Sequence, residues 1–248
     1  MIPRKSEAEL ATMREAGRVT ALALVAVGEA VAPGVTTGEL DVLAEELIRS
    51  HGAIPAFKGY HGFPATICAS PNSTIVHGIP GGLRLAEGDI FSVDVGAILD
   101  GFYGDSAFTF AVGEVDAGAR LLLDATRAAL DAGIEACRPG NRLGDVGAAV
   151  QGVAEAAGFS VVREYVGHGI GRAMHEEPSI PNYGTRGKGV ELAAGMVLAI
   201  EPMVNAGGYA TRSMDDGWTV VTADGSLSAH FEHTVAVTDA GPRVLTLP

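Results

Sequence analysis

The sequence predicts an α+β fold in which one helix–helix–strand–strand unit occurs twice, as a pseudo-symmetric duplication with the two copies facing each other. Three observations carry this. Residues 32–52, APGVTTGELDVLAEELIRSHG, are echoed by 138–158, RPGNRLGDVGAAVQGVAEAAG, each with a Pro-Gly break, an amphipathic helix and a closing glycine. LAEGDIFSVDV (85–95) aligns with LAAGMVLAIEP (192–202), so that Leu85 meets Leu192, Gly88 meets Gly195 and Asp94 meets Glu201. DSAFTFAV (105–112) resembles EHTVAV (232–237), which sets Asp105 on Glu232. Short apolar strings match by chance, but several matches in one order, with acids falling on acids, do not. The halves run over roughly 5–112 and 113–240, within a single domain spanning 1–248.

The elements follow in order. Ser6 and Glu9 form a capping box that opens a helix through the apolar run VTALALVAV at 19–27. That run is shorter than the roughly 20 apolar residues a bilayer demands. Glu7, Glu9 and Glu15 stand where a signal peptide carries positive charge alone, so a buried helix is expected and no targeting segment is visible. Thr36 and Glu39 make a second capping box, with Leu40, Leu43 and Leu47 on one helical face. Asp100-Gly101 between two β-rich runs signals a hairpin in which Leu99 pairs with Phe102. In that register Asp94 faces Ala107, and Asp105 points to the same side as a diagonal neighbour, about 7–8 Å away at the backbone.

Charge narrows the function. The chain has 248 residues with 17 Lys and Arg against 30 Asp and Glu, a net charge of −13, which repels phosphate backbones and excludes direct DNA binding. Cys68 and Cys137 match neither a disulfide framework nor a zinc pattern, so a reducing, cytoplasmic setting is expected.

The acids then stand out. Asp94 and Asp105 lie inside apolar strands, and carboxylates so close are costly unless something positive sits between them. A solvated sheet face would make one such pair harmless, but Glu201 and Glu232 repeat the pattern in the second half, again within strand-like runs. Four carboxylates at repeat-related positions point to a shared site for two divalent cations. His168, in YVGHGIG, adds the imidazole that first-row transition metals favour, and its flanking glycines permit close approach to a ligand. His175-Glu176-Glu177 lacks the second histidine of an H-E-x-x-H site.

Val76-His77-Gly78-Ile79-Pro80, GHGIGRAMHEEP (167–178), IEPM (200–203), DDGWTV (215–220) and FEHT (231–234) together resemble the type I methionine aminopeptidases, over about residues 5–245. The resemblance implies the pita-bread fold, which agrees with the duplication. It implies a single catalytic domain and a dinuclear centre held by Asp94, Asp105, His168, Glu201 and Glu232, with Asp105 and Glu232 bridging both ions. The native metal is left open among Mn, Fe, Co and Zn. Glu201 is then the proton acceptor for the attacking water, His175 the contact to the scissile carbonyl, and His77 the histidine near the new amine. Tyr60, Phe63, Cys68, Met174 and Trp218 would wall the methionine pocket, with Phe63 and Met174 standing where the family often has Tyr and Phe. His51, His61, His230 and His233 are expected in structural or surface roles.

The implied substrates are nascent polypeptides and peptides that start with Met, with the ribosome as a further partner, no membrane and a monomeric state. Two other readings stay in view. Xaa-Pro aminopeptidase-like enzymes usually carry an extra N-terminal domain, for which a first metal-ligand candidate at residue 94 leaves no room. Non-catalytic binding modules of this fold lack several ligands. The 25 residues between His175 and Glu201 cannot hold the helical insertion of the type II enzymes.

Overall fold

A computed structural model describes residues 2–248 and bears out the duplicated plan. Helix α1 (Glu7–Ala30) starts at the Ser6/Glu9 capping box and buries most of the 19–27 run, leaving Val25 exposed. Helix α2 (Thr37–Ser50) starts at the Thr36/Glu39 box. Its inward face is Thr37, Leu40, Ala44 and Ile48, a spacing of three or four residues, while Leu43 and Leu47 lie at the margin, half-buried. The second half repeats the pair with α3 (Ala117–Glu135) and α4 (Leu143–Ala156), and among the described residues no helix is long and apolar enough to cross a membrane.

Behind α1 and α2 lies a sheet built on the long strand Ile90–Leu99. Phe102–Ala111 pairs along one edge; Ile67–Pro71 and Ile54–Pro55 share the other. The turn between the two long strands is Asp100-Gly101, both at positive φ (50° and 76°), the type I′ geometry that matches strand twist. Behind α3 and α4 lies a five-stranded sheet in the order Gly241–Val244, His233–Thr238, Val197–Ile200, Gly167–Gly169, Glu176–Ile180. One smaller sheet joins the halves, with Thr74–Val76 pairing against Val220–Thr222.

The repeat extends to single hydrogen bonds. Gly88 N donates to Val112 O at 2.9 Å in the first half, and Gly195 N donates to Val237 O at 2.9 Å in the second. Polar side chains stitch the first-half sheet to strands of the second half. Thr234 Oγ1 donates to Asp105 O (2.8 Å), Ser106 Oγ to Glu232 O (2.7 Å) and Thr109 Oγ1 to His230 O (2.8 Å). That seam is where the acids lie.

Candidate active site

The predicted hairpin register is observed without a bulge: Leu99 pairs with Phe102, Asp94 with Ala107 and Gly96 with Asp105. Pleating sends Phe91, Val93, Val95 and Ala97 into the core beneath α1 and α2 and leaves Ser92, Asp94 and Gly96 on the opposite face. Asp94 and Asp105 share that face. In the second half the acids sit just beyond the strands rather than inside them. Val197–Ile200 ends before Glu201-Pro202, and His233–Thr238 begins after Glu232. His233 pairs with Ile200, so one further step of that register brings Glu232 opposite Glu201.

His168 lies on Gly167–Gly169, paired with Ala199. Its flanking glycines serve the neighbouring backbone rather than a ligand. A Cβ on Gly167 would meet Ala199 O at 2.3 Å, and one on Gly169 would meet Glu177 O at 2.3 Å. The imidazole contacts Gly169 O through Nδ1 at 2.9 Å, which places the proton on Nδ1 and leaves Nε2 as a lone-pair donor facing the acids.

Asp105, His168 and Glu232 are buried, and one donor atom from each lies within 4.8 Å of the other two. Glu201 adds Oε1 at 3.5 Å from His168 Nε2 and Oε2 at 3.7 Å from His230 Nε2. Buried Asp94 Oδ1, Asp105 Oδ1 and Glu232 Oε1 have no hydrogen-bond partner. Enclosed carboxylate oxygens left bare are the donor set of a cation site, and three carboxylates with imidazole suit a first-row divalent metal.

Electrostatics agrees. Burial pushes Asp105 up to about 7. Burial first, then the charges of the neighbouring acids, pushes Asp94, Glu201 and Glu232 well above the carboxylate range. Burial holds His168 down at about 4 and His230 at about 3, so both imidazoles are neutral at pH 7 and their contacts to acids are not ion pairs.

A cavity of about 280 Å³ opens over these groups, lined by Asp94, Asp105, His168, Glu201 and Glu232 together with His77, His175, Tyr60, Phe63, Cys68, Met174 and Trp218. It is smaller than the roughly 300–1,000 Å³ of drug-sized ligand sites, a space for about one side chain and its backbone. Cys68 pairs with Asp94 across the sheet, and burial keeps its thiol protonated. Phe63 and Trp218 meet edge to face at 5.1 Å. Asp216 holds the Trp218 turn, accepting from Trp218 N and Thr219 N at 2.9 Å each. His175 Nδ1 lies 2.8 Å from the Tyr60 hydroxyl. His77 sits at φ 59°, with burial and then His175 lowering its imidazole to about 4.

Phe57, His61, Tyr165, Val166 and Met203 also line the cavity, and His230 is buried against Glu201. His61 is exposed, as expected, yet borders the cavity, and His230 stands behind Glu201 without lining it. Strand alternation held the signal for His230, two residues before Glu232. The remaining two histidines are peripheral: His51 closes α2 on Leu47 O, and His233 bonds Thr246.

Residues 11–239 match the model of metallopeptidase family M24. A methionine aminopeptidase of Clostridium perfringens is 53% identical over 247 residues, covering all of this chain and 99% of that protein. The crystal structure of methionine aminopeptidase from Rickettsia prowazekii superposes with a TM-score of 0.98 at 48% identity, covering both chains fully. The prolidase of Pyrococcus horikoshii shares the fold at 22% identity and a TM-score of 0.78, with this chain spanning 63% of it.

Proposed function

The chain belongs to metallopeptidase family M24, and from that premise we propose that it is a methionine aminopeptidase, removing the N-terminal methionine from peptides and nascent chains. The observation that carries the site assignment is the bare carboxylate oxygens of both halves at the base of an enclosed cavity. Asp94, Asp105, His168, Glu201 and Glu232 would hold two divalent cations, of Mn, Fe, Co or Zn. Such cations supply Lewis acidity, which makes water a competent nucleophile at neutral pH and polarises the scissile carbonyl.

The side chains do the rest. Glu201, facing the cavity between two neutral histidines, takes the water proton on its carboxylate. Burial raises the Tyr60 hydroxyl above its ordinary range, so it stays protonated and donates to His175 Nδ1. The His175 proton then resides on Nε2, from which it donates to the carbonyl oxygen as charge develops there. His77, neutral and held over the cavity, hydrogen-bonds the leaving amine. Phe63, Cys68, Met174 and Trp218 surround the methionine side chain with apolar, polarisable contacts. Nascent chains would be met in the cytoplasm by a monomer, with the ribosome as a docking partner.

The test is cleavage after stripping metal and adding back Mn²⁺ or Co²⁺, comparing Met-Ala-Ser, Leu-Ala-Ser and an Xaa-Pro peptide. Release of Met alone is expected. Preference for the Xaa-Pro peptide would move the chain to the prolidase branch, and silence on all three with metal bound would leave a binding module. Trp218→Ala and Met174→Ala are expected to narrow the gap between Met and Leu peptides about tenfold, the scale of a few lost apolar contacts. Elemental analysis should show unchanged metal; metal loss in both would remove them from the pocket wall.

A further inference from the structure

Lys5 carries a buried charge that the mechanism leaves unused. Its Nζ lies 2.5 Å from Glu176 Oε2, and the two side chains are 7% and 13% exposed. Enclosing an ion pair is costly, and an exposed one would tether the chain end equally well. Glu176 spends its other oxygen on the loop beside it, with Oε1 accepting from Arg172 N at 2.8 Å and Ala173 N at 3.3 Å. These bonds close the turn that bears Met174 and His175.

The route of Lys5 to this turn is cleared by two glycines from separate segments. A Cβ on Gly171 would lie 2.4 Å from Lys5 Cε, and one on Gly195 would lie 2.8 Å from Lys5 O. Lys5 N also donates to Gly195 O at 2.6 Å, which fixes the backbone from which the side chain reaches inward. At the far side of the turn, His175 meets Tyr60 and Met174 is buried in the pocket wall.

We infer that Lys5 is a positioning residue which, through Glu176, holds the 172–176 turn so that His175 and Met174 face the substrate. The inference rests on the active-site reading above. Without its ammonium, the carboxylate of Glu176 is a buried unpaired charge that must turn toward water, releasing both amides and letting His175 drift. A misplacement of about 1 Å at such a group costs up to about a hundredfold in rate.

The test uses the full chain with Lys5→Met, Glu176→Gln and the double variant, assayed on Met-Ala-Ser with Mn²⁺ below their melting temperatures. Lys5→Met is expected to lower kcat at least about tenfold with bound metal unchanged. The double variant should recover most of that loss, because Gln leaves no charge to strand yet still accepts from both amides. In metal-free protein, the His175 imidazole NMR signal, assigned with His175→Gln, should shift or broaden in Lys5→Met, while that of His51 stays put. Unchanged kcat with an unmoved His175 signal would overturn the inference, as would additive losses in the double variant. Should Lys5→Met fail to fold, Glu176→Ala, which removes the acceptor of both amides, carries the test, with a shifted His175 signal expected and an unmoved one decisive against it. If the wild type cleaves no peptide, the active-site reading falls while the His175 signal still judges Lys5.

Discussion

Asp105→Asn is expected to lose metal and cleavage together, yet to melt at a higher temperature than the wild type when both are metal-free. Asp105 is the common neighbour of the other acids: its charge raises Asp94, Glu201 and Glu232 alike. It also belongs to the tight cluster with His168 and Glu232. Removing its charge takes away a donor at the centre of the site, so kcat/KM should fall on the order of a thousandfold, about 4 kcal/mol of transition-state stabilisation. The same change relieves repulsion that a cation, or protons held by the raised carboxyls, must otherwise offset. A gain of roughly 1 kcal/mol would raise Tm by about 2–4 °C in a chain of this size. The backbone of Asp105, bonded to Thr234, is untouched. Melting in chelator, elemental analysis and peptide kinetics measure the three quantities. A metal-free variant that melts below the wild type would mean that repulsion among the acids is not what limits the empty site.

Stability of the metal-free wild type should also fall as pH rises from 6.5 to 8. A carboxyl whose pKa is raised on folding binds its proton more tightly in the native state, so its contribution is full below the unfolded value and is lost as pH passes the folded one. For Asp105 that loss is centred at about 7. Histidines act oppositely: His168 and His77 at about 4 and His230 at about 3 shed protons on folding, which favours the native state increasingly up to the ordinary histidine range. Between 4 and 6.5 the two trends oppose each other; above 6.5 the histidine trend fades and is spent by about 7.5, while the four raised acids together outweigh what remains of it. Asp105 by itself predicts a loss of about 1 kcal/mol over that interval, or a Tm lower by about 2–4 °C. Added Mn²⁺ should reverse the slope, because metal binds the deprotonated donors and gains affinity as pH rises. Thermal melts at a series of pH values, with chelator and with Mn²⁺, test both signs. Parallel curves would show that protons and metal do not compete for these oxygens.

Much of this was legible in the chain itself, for physical reasons. Capping boxes and a two-residue turn are local, so Ser6/Glu9, Thr36/Glu39 and Asp100-Gly101 declare their elements, and the turn then dictates which residue opposes Asp94. The repeat supplied Glu201 and Glu232, which periodicity alone would have left as ordinary acids. What escaped depends on contacts between distant segments. Cys68 beside Asp94 needs the pairing of 67–71 with 91–95, which no turn announces. Gly167 and Gly169 read as room for a ligand because a sequence does not show which strands will press on them. Nothing local in the sequence marks Lys5, and only the tertiary fold brings Glu176 to it.

The two hairpins present their acids in different registers, and this says something about how the halves could diverge. Asp94 stands opposite Ala107, two residues from Asp105, whereas Glu201 and Glu232 come opposite each other. A shift of two along a pleated strand preserves which face a side chain occupies, and a shift of one reverses it. Inheritance of the site therefore permits slippage in even steps and forbids odd ones. It places no comparable limit on the chain between the acids. That connection is a bare turn in the first half, and in the second it is the long excursion that carries Trp218 to the cavity. The cation donors are thus bound by parity, while a wall of the pocket lies on chain free to lengthen and vary.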